Sequence, residues 1–119
     1  MVASDPGIEG LEYWGTKTMY ATSYYPCGFL NRCSYTTASG ATLQKGIVAF
    51  TVEWYRELKG TQVYVPGYGI GTVSDTGGGI PGKDWIDLGY GNEDYIPWSK
   101  NLTVYFLGPP PDPIPWFLQ

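Results

Sequence analysis

The sequence contains no histidine among its 119 residues. Ser-His-Asp and Cys-His catalysis both use an imidazole as the general base, and histidine is the usual ligand of catalytic zinc. Any chemistry must therefore depend on carboxylates, tyrosines or thiols. The loop of residues 75–87 also lacks the order of oxygen ligands that a calcium loop needs, so we predict neither a metal nor another cofactor.

Positive charge is scarce as well. Seven Lys and Arg stand against eleven Asp and Glu, which gives a formal net charge of −4, and the basic residues are scattered along the chain. A nucleic-acid site needs clustered cations to neutralise phosphates, so we predict no nucleic-acid partner. No run of about 18 apolar residues occurs, so we predict no membrane-spanning segment.

There are only two cysteines, Cys27 and Cys33, in "PCGFLNRC". Their spacing matches neither a redox C-x-x-C motif nor a metal site. It favours a small-loop disulfide formed in an oxidising compartment, and two reduced core thiols are the alternative. Residues 1–10 lack the basic and apolar regions of a signal peptide, which leaves a cytosolic chain or a mature secreted segment. The cysteine pair and the many aromatic residues favour an extracellular or cell-envelope location.

Helical periodicity is absent over any stretch of ten or more residues, and the pattern is that of β-structure. Alternating or β-branched runs predict strands, separated by Gly- and Pro-rich breaks, within residues 17–25, 46–54, 61–75 and 101–108. Helical turns are expected only at residues 55–60 and 92–100. Short strands at this spacing predict an all-β fold, a small closed barrel in one domain.

Four segments carry a family resemblance: "MYATSYYPC", "TASGATLQKGIVAF", "LKGTQVYVPGYGIGTVSDTGGGIPGKDWIDLGYG" and "WSKNLTVYFL". In this order and at nearly the family spacing they resemble the 3D (three-aspartate) domain. That domain is similar to the catalytic barrel of membrane-bound lytic transglycosylase A, and it occurs in bacterial cell-wall proteins that include the stationary-phase survival proteins. The resemblance implies a double-psi β-barrel, which we expect to have six strands, over residues 18–107. Residues 1–17 form an N-terminal segment, and the prolines after Gly108 predict an extended tail over residues 108–119. The resemblance also implies cleavage of peptidoglycan without hydrolysis. We expect the protein to be a monomer.

The resemblance also points to three acidic positions. The aspartate of the family's D-T-G-G element matches Asp75, and the aspartate of its I-D-L element, the catalytic acid in the transglycosylase relatives, matches Asp87. Glu53 stands at the first family aspartate, and Trp54 replaces the proline that follows it. Pro81 replaces a usual lysine between the other two acids.

Lytic transglycosylation needs one carboxyl group, which protonates the leaving oxygen and then removes a proton from the sugar's own C6 hydroxyl. Ile86 and Leu88 flank Asp87 and should raise its pKa by desolvation. Strand alternation places Trp85 and Asp87 on one face, which would be the cleft. Asp75 is expected to keep Asp87 protonated or to stabilise positive charge at the anomeric carbon.

Six further positions are predicted to contact the glycan. Two aromatic residues would stack on sugar rings. Two glycines of the "GGG" run would let a bulky glycan approach the backbone. A Ser-Gly pair is placed at the border of the cleft by the resemblance. These positions are Trp85, Tyr24, Gly77, Gly78, Ser39 and Gly40. Asp84 is expected to be solvated. As an alternative, Asp75 only caps a turn.

Three functional classes remain open. The first is a lytic transglycosylase acting on peptidoglycan. The second is an inverting β-1,4-glucan hydrolase, because family 45 endoglucanases share the double-psi barrel and use two carboxylates about 6.5–9.5 Å apart. The third is a non-catalytic module that binds glycan or the cell wall, as the related barrels of expansins are thought to do. Anhydro ends, reducing ends and binding without products distinguish the three.

Overall fold

The computed structural model describes residues 12–28, 32–79 and 83–118. Pro81, which stands where the 3D-domain pattern usually has a lysine, lies outside the described residues. In these residues the chain forms six strands, one α-helix and two short 3-10 turns, Pro26–Gly28 and Trp116–Leu118. The strands and the helix are β1 (Tyr13–Tyr24), β2 (Ile47–Thr51), α1 (Val52–Leu58), β3 (Gln62–Val65), β4 (Gly69–Gly77), β5 (Trp85–Gly89) and β6 (Lys100–Leu107). β1 begins before the predicted domain boundary at residue 18.

The strands close into a barrel in the order β1-β5-β2-β4-β3-β6. The pairs β1–β5 and β2–β4 are parallel, and the other four are antiparallel. The prediction of a small six-stranded all-β barrel is confirmed. This interleaved order, with two parallel pairs, agrees with the double-psi topology that the resemblance implies.

The barrel interior is filled by the alternate apolar residues of each strand. Val48, Phe50, Ile86, Leu88 and Phe106 are completely buried. Each such side chain contributes about 1.5–3 kcal/mol through burial. Because successive side chains point to opposite faces, the polar residues between them are directed to the outer surface of the barrel.

One predicted strand ends early. The run predicted over residues 46–54 is extended only to Thr51, and α1 begins at Val52, earlier than the expected turn at residues 55–60. The helix is favoured because it puts Trp54 and Leu58 on one face, where both are buried. Trp54 stacks on Phe117 with ring centroids 4.3 Å apart, which fixes the C-terminal tail to this end of the barrel. The other expected helical turn is wrong, since residues 92–94 form a plain turn.

The predicted disulfide is confirmed, with Cys27 bonded to Cys33. The amide of Cys27 donates to the side-chain oxygen of Asn92, which ties this loop to the turn after β5. No helix in the described part of the chain has the length and apolar character needed to cross a bilayer.

Candidate active site

Four residues on four neighbouring strands of the barrel lie in register with one another. Thr22 of β1 is in register with Asp87 of β5, Asp87 with Ala49 of β2, and Ala49 with Asp75 of β4. Residues in register project to the same side of a sheet, here the outer surface. The two aspartates therefore flank a single alanine, with their Cα atoms two strand spacings, roughly 10 Å, apart.

A β-bulge is what turns Asp75 to this surface. Val73 is fully buried in the barrel, so strict alternation would also direct Asp75 inward. The register of β2 with β4 shifts at this point: Val48 pairs with Val73, but Ala49 pairs with Asp75, so that Ser74 is the extra residue. A bulge re-aims the side chain that follows it, and such bulges are common next to active sites.

Asp87 is held by a chain of two hydrogen bonds. The indole Nε1 of Trp85 donates to Oγ1 of Thr22 at 2.8 Å, and this hydroxyl donates to Oδ1 of Asp87, also at 2.8 Å. The predicted shared face of Trp85 and Asp87 is confirmed, and Ile86 and Leu88 point into the core. Trp85 is only 7% exposed, so most of its ring contacts protein and little of it is available for stacking on a sugar.

The environment of Asp87 raises the pKa of its carboxyl group. Burial raises the pKa of Asp87 to about 6, the charge of Asp75 adds to this rise, and the hydrogen bond from Thr22 partly opposes it. The expected desolvation is thus present. Among the described residues no donor reaches Oδ2 of Asp87. That oxygen is the one placed to carry the proton when the carboxyl group is protonated.

Asp75 differs from Asp87 in its hydrogen bonds, because three donors bind its carboxylate and, among the described residues, only one binds that of Asp87. The amides of Ala38 and Thr76 donate to its Oδ1, each at 2.9 Å. The hydroxyl of Tyr24 donates to its Oδ2 at 2.9 Å. An ionised carboxylate only accepts hydrogen bonds, so this set of donors suits the charged form and fixes its orientation.

The side chain of Tyr24 spans two strands. Tyr24 lies on β1 in register with Gly89 of β5, yet its hydroxyl reaches Asp75 on β4. β5 and β2 lie between these two positions. Burial, reinforced by the charge of Asp75, raises the pKa of Tyr24 far above its ordinary value. The hydroxyl therefore stays a donor to Asp75, and this contact constrains the predicted stacking of Tyr24 on a sugar.

The glycines at positions 77 and 79 leave room for neighbouring side chains, chiefly the indole of Trp85, and do not border open space. A Cβ on Gly77 would lie 2.5 Å from the ring of Trp85, and one on Gly79 would lie 3.0 Å from the methyl group of Thr51. The expectation that Gly77 leaves room for a glycan is therefore wrong, because Trp85 occupies that side. Gly78 has nothing within 4 Å of such a Cβ and is the open position.

The predicted border residues belong to the loop that holds Asp75. The amide of Ser39 donates to the carbonyl of Ser74 at 3.1 Å, and the exposed Gly40 takes a positive φ of 88°. Sequence reasoning missed two residues of the site. Thr22 was detectable, since it lies two residues before Tyr24 on the same strand face. Ala38 acts through its amide and leaves no side-chain signal.

Glu53 is not part of this arrangement. It is exposed in the first turn of α1, and it lines a groove with Glu57 and tail residues 113–117. In the described part of the chain it shares no hydrogen bond with Asp75 or Asp87. Asp84 is exposed as expected, at 3.5 Å from the ammonium of Lys17.

Across residues 12–28, 32–79 and 83–118, no three His, Cys, Asp or Glu side chains converge as metal ligands would. No protein-family model, curated protein or solved structure matches the chain. The function must therefore be inferred from the residues and their geometry.

Proposed function

We propose that the protein is a lytic transglycosylase that cleaves peptidoglycan, with Asp87 acting first as acid and then as base. The observation that carries the proposal is the state of Asp87: a half-buried carboxyl group on the outer surface, with its pKa raised to about 6 and no described donor on Oδ2. A general acid works best when its pKa lies near the operating pH. Of the described carboxyl groups, only Asp87 shows such a rise.

The reaction is balanced around this one group. Protonated Asp87 gives its proton to the glycosidic oxygen as the bond from C1 to that oxygen breaks. The C6 hydroxyl oxygen of the same sugar then bonds to C1, and Asp87 takes the hydroxyl proton. The products are a chain with a new free hydroxyl and a chain with a 1,6-anhydro end. No water is consumed, and Asp87 finishes protonated and ready for the next cycle.

Thr22 and Trp85 support this role. The hydroxyl of Thr22 fixes Oδ1 of Asp87, which leaves Oδ2 to exchange the proton with the substrate. The indole of Trp85 holds that hydroxyl in place from the other side. Positioning of this kind keeps the acid within reach of the reacting atoms.

Asp75 supplies a fixed negative charge. Its three donors orient it, and its charge helps to raise the pKa of Asp87. The same charge would stabilise the positive charge that develops at C1 as the glycosidic bond breaks.

The single-carboxyl mechanism is favoured over an inverting hydrolase by the surroundings of the other two acids. An inverting enzyme needs a second carboxylate with a free lone pair to take a proton from water. Three donors already bind Asp75, two on Oδ1 and one on Oδ2, which leaves a single lone pair of Oδ2 for such a water. Glu53 lines a different groove.

The substrate and the location follow from the resemblance and the disulfide. The 3D-domain motifs include both aspartates, and relatives of that domain act on the bacterial cell wall. The bond between Cys27 and Cys33 fits an oxidising compartment. We therefore place the protein outside the cytoplasm or in the cell envelope, where as a monomer it acts on peptidoglycan.

Digestion of purified peptidoglycan and of a panel of β-1,4-glucans, with mass spectrometry of the new ends, tests the proposal. The wild-type protein should give anhydro ends from peptidoglycan. Asp87→Asn should lower turnover by at least 10²–10⁴-fold, because an amide cannot donate and recover the proton. Asp84→Asn is the matched control, since it removes an exposed carboxylate close by in the sequence.

The other possible products of this digestion distinguish the alternative functions. Reducing ends from a glucan would identify the hydrolase, and binding without products would identify a non-catalytic module. Full activity in Asp87→Asn would overturn the assignment of the acid.

A further inference from the structure

We propose that the ring of Tyr24 fills the space between the carboxylates of Asp75 and Asp87 and keeps water out of it, so that Tyr24 decides between anhydro and hydrolytic products. This inference rests on the proposed function, because it concerns which nucleophile reaches the anomeric carbon.

The path of the side chain is the first support. The Tyr24 backbone lies on β1 in register with Gly89 of β5. The hydroxyl ends on Oδ2 of Asp75, beyond β5 and β2. Asp87 lies on β5, so the ring must cross the outer surface close to it on the way to β4. Consistent with this, the charges of both aspartates act on the Tyr24 hydroxyl.

The burial of Ala49 is the second support. Ala49 lies in register between the two aspartates and shares their outer face. A methyl group on an outer face stays accessible unless another group covers it, yet Ala49 is only 2% exposed. Apart from the adjacent amide of Thr76, two described groups reach Asp75 at this part of the surface, the Tyr24 side chain from β1 and the backbone amide of Ala38. Only Tyr24 brings a large side chain to it.

The position matters because it is where a hydrolytic water would bind. In an inverting glycosidase, water lies between two carboxylates separated by about 6.5–9.5 Å. The water oxygen would bond to C1 and its proton would pass to the second carboxylate. With that place filled, the C6 hydroxyl is the remaining nucleophile. It belongs to the same sugar and has the high effective concentration of an intramolecular group.

Two variants separate the ring from its hydroxyl. Tyr24→Ala removes the ring and leaves room for water, whereas Tyr24→Phe keeps the ring and removes only the hydrogen bond to Asp75. Digestion products are reduced with borodeuteride before mass spectrometry, since reducing ends take up deuterium and anhydro ends do not. We expect at least a tenfold rise in the ratio of reducing to anhydro ends for Tyr24→Ala, and no rise for Tyr24→Phe. Tyr24→Val, which keeps a strand-forming residue but is too short to reach β4, serves if the alanine variant does not fold.

A second measurement needs no substrate. If the ring covers Asp87, its removal admits water, and the pKa of Asp87 in a carbon-13 NMR titration should fall from about 6 toward 3.8 in Tyr24→Ala. It should stay near its wild-type value in Tyr24→Phe.

The two measurements distinguish the possible failures. A wild-type protein that makes no anhydro ends, with the expected fall in the pKa of Asp87, contradicts the proposed function but not the position of the ring. An unchanged pKa in Tyr24→Ala shows that the ring does not shield Asp87 and overturns the inference. Unchanged products from an active Tyr24→Ala variant overturn it as well.

Discussion

Replacement of Asp87 by asparagine should make the folded protein more stable at neutral pH. The pKa of Asp87 is raised from 3.8 to about 6 on folding, chiefly because burial penalises its charged form. A rise of this size corresponds to about 3 kcal/mol of destabilisation when the group is ionised in both states. Asparagine has nearly the same shape, carries no charge, and keeps an oxygen that can accept the hydrogen bond from Thr22.

The sign of the pH dependence follows from proton binding. Below the unfolded-state pKa of 3.8, the carboxyl group is protonated in both states, and the wild type loses nothing. Above the folded-state pKa of about 6, it is ionised in both states, and the full penalty applies. The advantage of Asp87→Asn should therefore grow between these two values and level off at higher pH.

Urea unfolding of the wild type and the variant, at a series of pH values from 3.5 to 8, measures this advantage as the difference in free energy of unfolding. Asp84→Asn is the control for loss of an exposed charge, and it should change stability by less than about 0.5 kcal/mol. Asp75→Asn should be destabilising, because a neutral amide oxygen accepts the two backbone hydrogen bonds less strongly than the charged carboxylate does. A pH-independent difference for Asp87→Asn, or a loss of stability at pH 8, would refute the reasoning.

Three other substitutions test the surroundings of the site and the disulfide. Thr22→Val removes a hydrogen bond that lowers the pKa of Asp87, so this pKa should rise above about 6 in a carbon-13 NMR titration, whereas no rise would contradict the assigned contact. Gly77→Ala places a methyl group 2.5 Å from the neighbouring indole and should cost about 1–3 kcal/mol in urea unfolding, against less than about 0.5 kcal/mol for Gly78→Ala, which meets open space. Cys33→Ser should cost about 2 kcal/mol by opening the loop, and the native wild type should show no titratable thiol.

The barrel could be predicted because its strands carry the alternation that closure requires. The runs around Val48, Leu88 and Phe106 place large apolar groups on one face, and Gly- and Pro-rich breaks separate them. The helix at Val52–Leu58 could not be predicted in the same way. Its residues include Trp54, a good strand former, and the helix is selected by a tertiary contact with the distant Phe117.

The site was predictable only where it follows simple alternation. Trp85 and Asp87 share a face for that reason. Asp75 reaches the same surface through a bulge at Ser74, and a one-residue shift of register leaves no signature in the residue types themselves. The role of Gly77 was misjudged because its neighbour, the Trp85 ring, comes from another strand.

The row of residues across β1, β5, β2 and β4 combines features that a purely structural surface would not need. A bulge interrupts the ladder beside Ala49, and a half-buried Asp87 carries a charge that its surroundings disfavour. Asp75, two strands away, receives three donors that fix its orientation. Two neighbouring carboxyl groups in different environments can take different roles in the acid–base chemistry of one site. Local departures of this kind persist where function selects them, and here the buried barrel interior supplies the stability that offsets them.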